Sequence, residues 1–141
     1  MQARARILGH PVHQILIVFP LGLLATSFFF DLGYLLTKRG ELGVVASWLI
    51  FAGVIGGIFA ALFGLLDFSR IPSGTRARRV GALHGGGNVV VALLFAASWL
   101  LRRDEPGHPE ALAITLSGLG VLLIVATAWL GAELAERMEE A

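Results

Sequence analysis

The chain has 141 residues, 56% of them hydrophobic and 15% charged, with a net charge of +1 and a mean hydropathy of +0.78. That balance lies well above what a water-soluble domain carries and leaves no room for a separate soluble domain. Cysteine is absent, which excludes disulfides, thiolate metal sites and cysteine-ligated iron–sulfur clusters; the basic residues are dispersed over several connections rather than gathered in a stripe, which argues against a nucleic-acid partner.

Four apolar stretches, 12–36, 43–66, 81–101 and 111–131, are each about 20 residues or more, the length that spans a bilayer as a helix. Their apolar character is continuous rather than alternating, so the predicted fold is all-α: a single four-helix transmembrane bundle, up-down-up-down, and not a barrel. Arg4 and Arg6 precede the first stretch as in the n-region of a signal peptide. The stretch is too long for one and no convincing cleavage site follows, so it is read as a transmembrane helix.

The first helix opens with Gly9-His10-Pro11-Val12-His13, where Pro11 suits a first turn because its missing N–H would have no partner. Pro20 is expected to bend or loosen the helix, and Asp31 is expected at the opposite membrane boundary as an interfacial residue. The second helix is built for close approach, with Gly53 and Gly57, then Ala60 and Gly64, at small-xxx-small spacing. It ends in Gly64-Leu65-Leu66-Asp67, followed by a basic connection. The third begins with His84-Gly85-Gly86-Gly87-Asn88, and glycine that dense in a membrane helix implies that something bulky or another backbone comes close. The fourth carries small packing residues and runs on as a charged tail from Glu133.

Four spans place both termini and the second connection on one side. That side holds Arg4, Arg6, Arg70, Arg76, Arg78, Arg79 and Arg137, against Lys38, Arg39, Arg102 and Arg103 opposite. The positive-inside rule then makes the termini cytoplasmic, in a bacterial inner membrane. At that cytoplasmic end His13 and His84 lie about one turn inside the membrane at similar depth. His10 stands three residues before His13, Asn88 four after His84, and Asp67 reaches the same level from the second helix. Polar groups at one depth near lipid face the bundle interior or a partner. His10 reads as interfacial, Asp67 equally as a partner for Arg70 or Arg76, and His108 as surface, whereas His13 and His84 are flanked by apolar helix with no neutralising neighbour in sequence.

In order along the chain, Gly9-His10-Pro11-Val12-His13, Phe19-Pro20-Leu21-Gly22-Leu23, Asp31, Gly64-Leu65-Leu66-Asp67 and His84 with Asn88 resemble a bacterial four-helix membrane family, the domain of unknown function numbered two-two-three-one. The resemblance covers nearly the full length. Members are sometimes joined to a Rieske-type iron–sulfur domain, which implies a redox neighbourhood. Gln14 departs from a frequent Pro of the family, and the tail after Gly131 lacks the usual Tyr- and His-containing ending, so any role the family gives that tail is not carried over.

In an up-down-up-down bundle the first and third helices lie on a diagonal of roughly 11–14 Å, from neighbouring axes roughly 8–10 Å apart. Two imidazoles can reach one iron across it. The sharpest reading is therefore a haem b held by His13 and His84, with Gly85–Gly87 making room for the macrocycle. In it Arg76, Arg78 or Arg79 meet the propionates, and Asn88 or Asp67 bonds the second nitrogen of an axial histidine. Its role would be electron transfer to or from a quinone or a partner protein. Two readings of other classes stand beside it: a cofactor-free accessory subunit of a larger membrane complex or homo-oligomer, and a zinc or copper site of His10, His13, Asp67 and His84. No hydrolytic, nucleotide-binding or phosphate-binding motif is present to support an enzyme.

Overall fold

A backbone crossing lipid satisfies its N–H and C=O groups within itself, so each apolar run becomes a helix that also carries its flanking polar residues a turn or two into water. The computed structural model describes residues 6–7 and 10–140, with side chains from 12 to 137. The helices are α1 Val12–Thr37, α2 Gly40–Phe68, α3 Arg76–Arg102 and α4 Ala111–Glu140, and all four are long and apolar enough to span a membrane. Ahead of them Arg6–Ile7 and His10–Pro11 form a two-rung antiparallel ladder. Pro11 thus belongs to the approach and not to the first helical turn.

The connections are shorter than the apolar boundaries suggested. Only Lys38 and Arg39 join α1 to α2, with Lys38 in the left-handed region at φ 57°. The third helix starts five residues before its apolar run because Thr75 caps it, its side chain accepting from the Arg78 N–H at 3.1 Å. Arg78 then donates to the carbonyls of Phe68 and Ile71 and lies 4.0 Å over the Phe68 ring, which closes the α2–α3 connection. Pro20 sits inside a continuous α1, buried, with Gly56 leaving room for its ring.

Helix α1 packs along α2 and α3 along α4. The two hairpins meet along the α2–α3 seam and more sparsely along α1–α4, so α1 and α3 lie on a diagonal. The hairpins are structural repeats of one another. The inward stripe of α1, His13, Ile17, Pro20, Leu24, Ser27 and Asp31, corresponds to His84, Asn88, Val91, Phe95, Ser98 and Arg102 of α3, each 71 residues later. In α2, Ala46, Ser47, Ile50, Gly53, Ala60 and Gly64 correspond to Ala113, Ile114, Ser117, Gly120, Thr127 and Gly131 of α4, each 67 residues later. Equivalent contacts recur. A Cβ on Gly53 would lie 2.6 Å from Leu24, and one on Gly120 would lie 2.6 Å from Phe95. The chain is therefore a pair of like hairpins about a pseudo-twofold axis along the bundle, with Leu24, Ile50, Val91, Phe95 and Ile124 as its core.

At the end remote from the histidines, Asp31 and Arg102 meet across that axis. Arg102 donates to both carboxylate oxygens, at 2.6 and 3.0 Å, and both side chains are 0% exposed. The expectation of an interfacial Asp31, and of Arg102 as a loop residue, is overturned. Neither charge has a partner nearby in sequence, and each lies on the inward stripe of its own helix, so burial became affordable only once the two hairpins had met. Ser98 extends the pair by accepting from Arg102, donating to the Ala113 carbonyl at 2.6 Å and touching Ser117 at 2.7 Å.

Candidate functional site

Eighteen residues separate His13 from Asp31, and His84 from Arg102, which is about 27 Å of helix. The histidine pair accordingly lies at the opposite end of the bundle from the ion pair. The rings stand 6.1 Å apart between centroids and nearly perpendicular, at 88°. His13 Nδ1 lies 2.7 Å from the Ala60 carbonyl oxygen, and His84 Nδ1 lies 2.8 Å from that of Thr127. A carbonyl only accepts, so both Nδ1 atoms carry a proton, and it is Nε2 that bears the lone pair when such a ring is neutral. Ala60 and Thr127 are equivalent positions of the repeat, and so are the glycines beneath the rings. A Cβ on Gly64 would lie 2.9 Å from His13 Nδ1, and one on Gly131 would lie 2.8 Å from His84 Cε1.

The inner stripe changes along the axis. It is fully buried at Asp31, Ser27, Leu24 and Pro20, and at Arg102, Ser98, Phe95 and Val91, but only half-buried at Ile17 and His13 and at Asn88 and His84. The hairpins bury this stripe completely at the ion pair and only partly at the histidines, whose rings meet edge to face. Asn88 adds a polar side chain beside the imidazoles, its Nδ2 3.1 Å from His84 Nε2. In the neutral ring that nitrogen only accepts, so the amide NH2 donates to it.

The remaining sequence candidates fall into place around this pair. The nitrogen expected to bond Asn88 was the one left over by a cofactor; instead the main-chain carbonyl takes Nδ1, and Asn88 sits on Nε2. Gly85 and Gly86 face open space with nothing within 4 Å of a Cβ, and Gly87 admits the Thr127 methyl, so the glycine run lies apart from the rings. The glycines that border the imidazoles are Gly64 and Gly131, which the sequence offered only as a packing residue and as part of the tail. Their signal was their equivalent place on the next helix after each histidine in two like hairpins. Arg78 is held by the α2–α3 connection, Arg76 meets Glu133 at 3.3 Å, and Arg79 lines an open apolar dent with Arg76, Val80 and Leu83. Glu133 also takes Arg137, one turn on in α4, at 2.6 Å. Asp67 lies at the end of α2, three residues past Gly64. The His10 side chain lies outside the described residues.

As a donor set, two imidazoles come together. Among the described residues no group of three or more His, Asp or Glu side chains does, fewer protein ligands than the three or four with which zinc is held. The two rings meet edge to face with centroids 6.1 Å apart, within the separation of aromatic rings in direct contact.

The family model described as "Predicted membrane protein (DUF2231)" matches residues 9–139. No curated protein and no solved structure matches the chain.

Proposed function

The chain belongs to the DUF2231 family of predicted membrane proteins, and we propose that its histidine pair is the axial ligand set of a haem b at the cytoplasmic end of the bundle, serving electron transfer with a quinone or a partner protein. The observation that carries this reading is the matched pair of Nδ1–H donors, each held on a main-chain carbonyl of the neighbouring helix, which leaves Nε2 as the remaining ring nitrogen of each: that of His84 takes Asn88, and that of His13 has no hydrogen-bond partner among the described residues. Anchoring Nδ1 in this way fixes the tautomer, orients the ring and raises the basicity of Nε2. Gly64 and Gly131 let each half-buried ring lie back against its own hairpin. In this reading Arg76 and Arg79 would meet the propionates. Bound haem would supply the one-electron couple; the chain would supply the ligands, low-dielectric walls and exclusion of water.

A visible absorption spectrum of the purified protein tests this directly. A low-spin Soret band is expected, and His13→Ala and His84→Ala are each expected to abolish the low-spin form. A colourless protein, in which both replacements change only stability, would instead support a cofactor-free accessory subunit. The observation favouring that second reading is Asn88, which satisfies His84 Nε2 within the protein itself.

A further inference from the structure

The start of α3 carries more positive charge than its neighbours neutralise. Arg76 reaches Glu133 at 3.3 Å with 68% of its side chain exposed, but Glu133 is also taken by Arg137, at 2.6 Å. Arg79 is exposed, and its side chain has no hydrogen-bond or ion-pair partner among the described residues. The first turn of α3 holds no acidic residue, so the positive end of the helix dipole adds to these charges instead of being offset. The two guanidiniums border an open dent together with Val80 and Leu83. Positions 76, 79, 80 and 83 share one helix face, so the dent is cationic at its outer end and apolar at its inner end. Next on that face comes Gly86, where a Cβ would meet nothing within 4 Å. The depth is that of a headgroup. Arg79 and Arg76 stand two and five residues before Gly81, where the apolar run begins, which is roughly 3 and 7 Å along the helix, and the headgroup layer is roughly 5–7 Å thick on each side of the hydrocarbon.

We infer that this dent is the binding site of an anionic phospholipid, with the phosphodiester on Arg79 and Arg76 and the upper part of an acyl chain along Leu83 and past Gly86. Charge complementarity selects the class. A guanidinium takes phosphate oxygens through its fork of N–H donors, and Arg79 has its fork free of any partner among the described residues. A zwitterionic lipid would bring an ammonium group to a place where Arg76 and Arg137 already share one carboxylate and Arg79 stands beside them. A soluble phosphate ester would meet the same cations but leave Leu83 uncovered, whereas a lipid satisfies both ends of the dent at once. The inference does not rest on the haem reading, which turns the same two guanidiniums toward propionates, and lipid binding is measured without any cofactor.

The test is native mass spectrometry of the full-length protein in mild detergent, titrated with phosphatidylglycerol or with phosphatidylcholine of the same acyl chains. Wild type is expected to retain phosphatidylglycerol in preference to phosphatidylcholine. Arg79→Gln should weaken that retention about fivefold, and the double variant Arg76→Gln with Arg79→Gln about 25-fold. Arg79→Lys should keep most of the affinity, because the charge remains. Arg103→Gln removes the same charge from an exposed side chain at the other end of α3 and should change nothing. Equal retention of the two lipids, or equal loss in Arg79→Gln and Arg103→Gln, would overturn the proposal. So would displacement of the lipid by glycerol 3-phosphate at equal concentration, since the apolar half of the dent would then contribute nothing. A double variant that keeps its lipid but loses an acidic partner protein would give the patch to that protein, and one that keeps its lipid but loses a Soret band would give it to propionates; either result overturns the lipid site. A colourless protein that still selects phosphatidylglycerol through Arg79 would sink the haem reading and uphold this one.

Discussion

Asp31 and Arg102 are the most consequential pair of side chains away from the histidines. Each is fully buried among four helices, and the Arg102 guanidinium spends its terminal nitrogens on Asp31 and Ser98. Removing one partner strands the other, so Asp31→Leu and Arg102→Leu are each expected to destabilise the bundle by about 3–5 kcal/mol. Replacing both by Leu should recover most of that loss, because an apolar pair has no charge to desolvate. Denaturation followed by circular dichroism in detergent would show it; single variants as stable as wild type would mean the pair does not form. Gly64 and Gly131 make the corresponding argument at the other end. A methyl group at either lies within 3.0 Å of an imidazole atom, a contact that only a shift of the ring can relieve. Gly64→Ala and Gly131→Ala are therefore expected to break the Nδ1 bonds to Ala60 and Thr127 and, if the proposed haem is bound, to weaken its low-spin spectrum through His13 and His84 respectively. An unaltered spectrum in both would separate the glycines from the site.

Along the helices, glycine serves two opposite purposes that sequence spacing does not distinguish. Gly85 and Gly86 meet nothing, whereas Gly87, Gly120 and Gly53 admit Thr127, Phe95 and Leu24. Alanine at either of the first two is expected to leave stability within about 0.5 kcal/mol of wild type or to improve it slightly, by lowering the backbone freedom lost in forming the helix. Valine at Gly53 or Gly120 should cost about 1–3 kcal/mol by prising a hairpin apart. The same thermal or chemical denaturation compares all four, and a reversed order would contradict the seams described. The ends of the helices were legible only to within several residues. Apolar runs mark where lipid begins, but Thr75 and the Arg78 bonds to Phe68 and Ile71, which set where α3 begins, lie in water beyond it.

For the molecule as a whole, burial of Arg102 bears on orientation. Counted as a pair with Asp31 it no longer contributes to the charge facing water at that end, which leaves Lys38, Arg39 and Arg103 there against Arg70, Arg76, Arg78 and Arg79 in the α2–α3 connection and its first helical turn. The expected orientation keeps that connection cytoplasmic. Because the chain has no cysteine, a single cysteine at Ser73 or at Glu105 reports unambiguously: an impermeant thiol reagent added to intact cells should label Glu105→Cys and spare Ser73→Cys, and the reverse pattern would invert the protein. The sequence by itself determined that four helices cross a membrane, that they alternate in direction, and that His13 and His84 share one depth, because hydropathy, helix rise and the number of spans fix those quantities along the chain. It did not reveal that Asp31 and Arg102 are partners, that Ala60 and Thr127 hold the imidazoles, or that Gly64 and Gly131 seat them. Each of those depends on which face of one helix meets which face of another, a relation between segments dozens of residues apart. Rotation about the helix axes, settled by the packing of two like hairpins around a common axis, decided it.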